Sequence, residues 1–458
     1  MNKRLAVLVL MLLILAVGIM LPEHLKEVTD GVVKQHEAWP KESPEATGLD
    51  ESGNLSTHLP LIILRTQGQE IPGALGRTAE DLCCEYAIID NPNGVNRSGD
   101  EPTQTGRMAI SIRGNSSRQF PKKQYAVKLV DDVGLPVKQA LLGMPAESTW
   151  VLNGSYIDHS QIRNYMMYTL SGEIMDYAPR CRLAEVMLTD AQGNMIYQGL
   201  YTLIEKPKVS EARLNLAAYD PAYRETSFLI QMNAYIEGIE IPHLMPEGIP
   251  VVYRSELKYP DSLEVTASSA DYIRAEMLDF EKALYDADHT GDWSRVESMT
   301  DLESFVDYYI INEFFQNYDA GRRSTYLHKG LGGKIVMGPV WDFDSAFDNF
   351  VHAAMGNDWL DVKTTIYYHY LTKCPAFVEQ VSKRYVQLRN SILSEENLLE
   401  FIDGCNDYLG TAVDRNCDQW YAGDRTLYDE DITSMKDFVI RRGNWMDDNF
   451  VRQTTLIG

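Results

Sequence analysis

The chain has 458 residues, 45% hydrophobic and 24% charged, with 66 acidic against 42 basic side chains and a formal net charge of −24. That composition supplies a large core. It argues against a nucleic-acid binder, because phosphate contacts need clustered Lys and Arg. The acidity reads first as solubility, with a basic partner drawn in by the field left open.

Met1 to Arg4 is a short basic lead, and Leu5 to Leu21 is an apolar run of roughly 17 residues, at the lower limit for spanning a bilayer. Basic flank before apolar run is the pattern of an export signal or anchor, so residues 1–22 are expected to be one or the other, with an uncleaved anchor preferred. The protein is then extracytoplasmic, membrane-anchored or secreted. Residues 23–58 are polar and acidic, with Pro40, Pro44, Gly48 and Gly53, and read as a spacer. Cys83, Cys84, Cys181, Cys374, Cys405 and Cys417 show no Cys-x-x-Cys spacing, so no zinc site is suggested. Export permits disulfides, and Cys405 with Cys417 is the first pair to test.

From Leu59 short β-like runs follow one another: Leu61–Leu64, Glu85–Ile89, Met108–Ile112, Gln124–Leu129, Ala184–Leu188, Gly199–Ile204 and Ser227–Gln231. With Gly and Asn turns between them they predict an antiparallel sheet. One helix interrupts, about Ser160 to Ile174, with Ile162, Tyr165, Met166, Thr169 and Leu170 on one face. After about Ser268 the spacing turns helical over Tyr272–Ala287, Leu302–Gln316, Ala376–Leu393 and Met435–Phe450. The fold class is therefore α+β, with a β-rich first lobe (about 59–235), a helical second lobe (about 236–450) and a cleft between them.

Two carboxylates in Trp341-Asp342-Phe343-Asp344 follow a predicted strand at Lys334–Met337. Hard divalent cations are held by such carboxylates on short loops, although an acidic turn with its aromatics in the core is the plain alternative. Asp319 follows the helix Leu302–Gln316 in Asn317-Tyr318-Asp319-Ala320-Gly321-Arg322-Arg323-Ser324, and the strand Thr325–His328 and a Gly330–Gly333 turn lead on to Asp342. Helix, Asp-bearing loop, short hairpin and second Asp is the order of parts in the catalytic half of a protein kinase. There the first Asp orients and deprotonates the substrate hydroxyl and the second holds the metal. Ser324 stands where that arrangement carries Asn. In the first half, Arg113-Gly114-Asn115-Ser116-Ser117 leaves a strand with small residues, hydroxyls and a guanidinium suited to phosphate. Lys128 in Tyr125-Ala126-Val127-Lys128 would emerge toward the cleft as the kinase strand lysine does, with Lys123 competing for the role. Glu205-Lys206-Pro207 ends a strand where a kinase hinge would pass the adenine.

Taken in order, these segments resemble the CotH family, the spore-coat protein H kinases. The match is carried by Arg113–Ser117, Pro121–Leu129, Asp158-His159-Ser160-Gln161-Ile162-Arg163-Asn164, Gly199–Lys206, Asn317-Tyr318-Asp319 and Gly338–Asp344. The resemblance implies an atypical protein-kinase-like two-lobed fold and ATP with Mg²⁺ or Mn²⁺. It also implies transfer of the γ-phosphoryl group to Ser or Thr of exported or coat proteins. Carried over by motif, Asp319 and Lys128 are catalytic and Asp342 with Asp344 holds metal. Arg113, Gly114, Ser116, Ser117, Arg163 and Glu205 lie at the nucleotide, Arg163 as a phosphate contact or a bridge between lobes. Two rivals compete with this reading: a surface adhesin or scaffold on a kinase-like shell, and a metal-dependent hydrolase using Asp342 and Asp344.

Overall fold

Six of the β-like segments and one further strand close on themselves. In the computed structural model, which describes residues 34–46, 48–73, 80–244, 253–349 and 360–455, they run as β1 (Leu61–Arg65), β2 (Leu82–Ile89), β3 (Gln104–Ile112), β4 (Tyr125–Val130), β5 (Thr149–Asn153), β6 (Cys181–Thr189) and β7 (Met195–Glu205). They form a closed barrel in the order β5-β7-β6-β1-β2-β3-β4, with β4 paired back to β5. Every pairing is antiparallel except β6 with β1. Closure needed β5, which the sequence pattern had not offered as a strand. Alternate residues fill the interior, among them Ile62, Tyr86, Ile110, Val127, Leu129, Trp150 and Leu203. On β5, β6 and β7 the other face is apolar too, because Val151, Leu183, Leu200 and Ile204 pack outward against the helical part.

Between barrel and helices lies α2 (Arg163–Ile174), following a short α1 (Gln35–Ala38). The sequence predicts one apolar face for α2, yet Arg163 to Ser171 are all buried. The barrel covers one side and the segment around Phe343 the other, so no face is left for solvent. A second, five-stranded antiparallel sheet contains β8 (Phe228–Met232), β9 (Glu240–Pro242), β10 (Arg254–Tyr259), β11 (Thr325–Lys329) and β12 (Ile335–Met337) in the order β9-β10-β8-β11-β12. Thus β8, grouped by sequence with the first-half strands, pairs instead with β11 across about a hundred residues of chain, register Gln231 to Tyr326. Its five residues are all buried, which suits a central strand better than an edge.

The remaining helices are α3 (Ala267–Thr290), α4 (Ser294–Met299), α5 (Leu302–Phe314), α6 (Tyr368–Leu371), α7 (Pro375–Arg389), α8 (Glu395–Leu409), α9 (Ala412–Trp420) and α10 (Thr426–Thr455). One of them, α9, holds the barrel through two neighbouring side chains. Arg415 of α9 makes a buried ion pair with Glu185 of β6 at 2.8 Å, and Asn416 Oδ1 accepts from the Leu200 amide of β7 at 3.1 Å. Gly199 is required there, since a Cβ would sit 2.5 Å from that amide oxygen. The whole is a mixed α+β structure.

The expected anchor at 1–22 lies outside the described residues. Among the described residues no helix is long and apolar enough to cross a membrane. From Lys34 onward the expected spacer is part of the body. Gln35 is buried and exchanges hydrogen bonds with the Leu183 backbone, His36 reaches Tyr165 OH at 3.0 Å, and His58 is buried against Tyr408. Polar side chains in this stretch thus serve as partners for buried polar groups, which composition alone cannot distinguish from solvation. All six cysteines are free. Cys405 and Cys417 are not bonded to each other.

Candidate active site

The loop after α5 is fixed by its own polar residues. The amide of Asn317 bonds to the Asn312 carbonyl at 3.0 Å, and its side chain to Asn312 Oδ1 at 3.1 Å. The Asp319 carbonyl accepts the amides of Arg322 and Arg323, closing one turn under the carboxylate. Arg322 is pinned outward by Asp361 and by the Tyr318 ring, whereas Arg323 stays half exposed with Nε 3.5 Å from Asp319 Oδ1. At the far end of the loop the Ser324 hydroxyl donates to Asp342 Oδ2 at 3.2 Å. Ser324 and Asp342 both have positive φ, +52° and +67°, a conformation that side chains other than Gly rarely adopt and that gathers at functional sites.

Helix α2 grips the second acidic segment from beneath. Its Tyr168 OH accepts the Asp342 amide at 3.1 Å, while Asn164 Oδ1 accepts the Phe343 amide at 2.8 Å and the Asn164 amide donates to Asp344 Oδ1. Asn164 and Tyr168 are four residues apart and so share one helix face. That spacing was present in the sequence, although neither residue was singled out from it. Arg163 does not face solvent. Its guanidinium is spent on Asp158 at 2.5 Å, on both oxygens of Asp431 in α10 at 2.6 Å, and on the Ala346 carbonyl at 3.2 Å. It ties α2, α10 and the acidic segment together, which makes it a bridging residue.

Arg113 emerges from β3 and lies over the Trp341 ring, 5.7 Å from its centroid; its only side-chain hydrogen bond among the described residues is to Gln124 at 3.1 Å. Among the described residues, its charge is the one that pulls the Asp342 carboxyl down. The following loop turns at Gly114, φ +101°, where a Cβ would stand 1.9 Å from Ser117 Oγ. Ser116 is exposed and Ser117 half-buried. Asn115 reaches Asn233, just past β8, at 3.4 Å, so the loop spans from the barrel to the second sheet.

Burial first, and then the charge of Asp342, push the Asp319 carboxyl up to about 7, against the pull of Arg323 and Arg322. Asp319 nevertheless keeps 23% of its side-chain exposure, so it can be reached from solvent. Burial raises Asp342, while Arg113 and the Ser324 hydroxyl pull it down. Asp344 is raised well above the carboxylate range by burial and by Asp342 and Asp158. The three acids therefore crowd one another with few compensating cations. Among the described residues, no three or more His, Cys, Asp or Glu side chains form a group that would hold a metal unaided.

The structure thus brings Asp319, Asp342, Asp344 and Arg113 together. It does not bring Lys128 to them. Tyr125, Val127 and Leu129 fill the barrel, so Lys128 alternates to the outer face, where it is exposed. Lys123 is occupied in holding the Arg118 and Phe120 carbonyls, at 2.8 and 2.7 Å. Glu205 is buried, with both oxygens taken by Arg180 at 2.9 and 3.0 Å. Two lysines that the sequence motifs contain but to which no role was given lie near these groups. Lys122 is buried against Gln161, Asn416 and the Tyr201 ring and feels Asp158 and Asp344. Lys206, which follows β7, is grouped with Arg113, Lys208 and Lys258.

The molecule is thus defined by an acidic pair beside a guanidinium without an ion-pair partner among the described residues, set where a β-barrel meets an antiparallel sheet and a helical body. The chain belongs to the CotH kinase protein family, whose model matches residues 110–446. That span includes every residue named at this site. Comparison with curated proteins finds no match.

Proposed function

We propose that the chain is an ATP- and divalent-metal-dependent protein kinase with an atypical two-lobed fold, acting on Ser or Thr hydroxyls of exported or coat proteins. Family membership supports kinase-like chemistry. The single observation that carries the finer reading is the pairing of Asp319 with Asp342, each raised in pKa, beside Arg113. Phosphoryl transfer leaves little covalent work for the protein, so positioning and charge neutralisation dominate it.

Asp319, poised near neutral pH and partly open to solvent, takes the proton of the substrate hydroxyl as its oxygen attacks the γ-phosphorus. The bond from that phosphorus to the β,γ-bridging oxygen breaks, and ADP leaves with the electron pair. Arg113 offers its guanidinium to the phosphates, held flat by Trp341 beneath it. Asn164, Tyr168 and Ser324 fix the direction of the acidic segment. A divalent cation fits the donor set. Mg²⁺ takes one or two carboxylates and completes its shell with phosphate oxygens and water, so a three-carboxylate cage is not needed. Asp342 would be its ligand, and Asp344, already held by asparagine, would support it. When bound, such an ion supplies the positive charge that the crowded acids and the phosphates both lack.

The test is transfer of labelled phosphate by the purified chain to a panel of proteins, itself included, for wild type, Asp342→Ala and Asp319→Asn. Transfer by wild type and its loss in Asp342→Ala are expected. If no protein is labelled and neither ATP nor Mg²⁺ nor Mn²⁺ shifts the melting temperature, the kinase reading falls and a non-catalytic binding protein on the same scaffold takes its place.

A further inference from the structure

The cations grouped with Lys206 divide into two kinds. Lys258 is neutralised by Glu256 at 2.9 Å, and Lys208 by Glu147 at 3.0 Å. Arg113 and Lys206 have no ion pair among the described residues, although acidic side chains outnumber basic ones by 66 to 42 in this chain. Two unpaired cations converging in so acidic a protein form a site for an anion.

Sheet register locates the site. Glu256 on β10 is opposite Gln231 on β8, and Gln231 is opposite Tyr326 on β11, so the three stand in a row on one face of the second sheet. Tyr326 meets Trp341 edge-on at 6.3 Å, and Trp341 carries Arg113. Leu257, on the opposite face, goes into the helical core. Glu256 of that row and Arg113 both act on Lys206, which β7 delivers at the end of the barrel. The Lys206 carbonyl is fixed there by Arg213 Nη1 at 2.6 Å, while its side chain remains exposed.

We propose that Lys206 and Arg113 form the subsite for the terminal phosphates of a polyphosphate donor, the position expected of Lys128 being served from the end of β7. The subsite rests on the phosphoryl-transfer reading for its role but not for its existence, and the experiment separates the two. Inorganic tripolyphosphate is titrated into the full chain without metal, by calorimetry, for wild type, Lys206→Gln, Lys206→Arg and Lys128→Gln. Melting temperatures of all four confirm folding. Loss of one charge-assisted contact weakens binding about tenfold or more. Lys206→Gln should show that loss, Lys206→Arg should retain most of the affinity, and Lys128→Gln should match wild type. Tripolyphosphate binding that ignores Lys206→Gln, or no binding by wild type, overturns the subsite even if phosphate transfer is observed. Lys206-dependent binding without any transfer leaves the subsite standing and removes the kinase reading alone.

Discussion

Arg163 separates a phosphate ligand from a structural bridge, and its environment fixes the size of the effect. The guanidinium is 1% exposed and faces Asp158 at 0% and Asp431 at 11%. Arg163→Met would leave two buried carboxylates without their cation, a loss of about 3–5 kcal/mol. In a folded body of roughly 400 residues, with unfolding entropy near 2.1 cal/mol/K per residue, that corresponds to a fall in Tm of about 4–6 °C. Urea denaturation followed by tryptophan fluorescence reads it directly. Asp431→Asn should cost less, and the double variant should fall short of the summed losses by about 1 kcal/mol or more, because the two residues share one contact. If Arg163→Met keeps wild-type stability but loses nucleotide affinity tenfold, Arg163 is a phosphate contact and the bridging argument is wrong.

Other consequences follow from the same geometry. Asp319 holds its proton to about 7 in the fold against an ordinary aspartate value of 3.8, so it favours the folded state in acid, and that contribution disappears as pH rises from about 4 through 7. Stability curves of wild type and Asp319→Asn should therefore diverge across this window in the variant's favour; parallel curves would contradict the shift. Transfer, which needs the ionised carboxylate, should rise with pH and level off above about 7, and a flat profile from pH 5 to 8 would exclude Asp319 as the base. Asp342→Ala relieves crowding, so the metal-free variant should melt no lower than wild type. Mg²⁺ at a hundred times its dissociation constant should stabilise wild type by about 2.7 kcal/mol and leave the variant unmoved. Gly114→Ala, forced into positive φ and onto Ser117, should weaken tripolyphosphate binding with little change in global melting.

Much of the site could be read along the chain because its residues come in short, ordered runs. Asp319 and Asp342 are connected by a single hairpin, β11 to β12, so local structure suffices to bring them near each other. The bounds of α2, α3, α5 and α7 followed from apolar spacing to within a few residues. α8 and α9 were not proposed, and β5 was missed, yet without β5 the barrel does not close. Asn164 and Tyr168 were given no role, because apolar spacing marks one face of α2 and does not show that its polar face is buried against the acidic segment.

The sequence by itself determined the class of elements, the two aspartates and the loop that carries Arg113, since each depends on residues close together in the chain. Only the tertiary structure decided which cations face those acids. Strand alternation turns Lys128 outward, while the chain leaving β7 puts Lys206 beside Arg113. Arg163, which sequence left open between phosphate and bridge, is claimed by Asp431 from a helix 268 residues away. Side-chain direction and long-range pairing are set by packing, and packing is not written in any local run of residues.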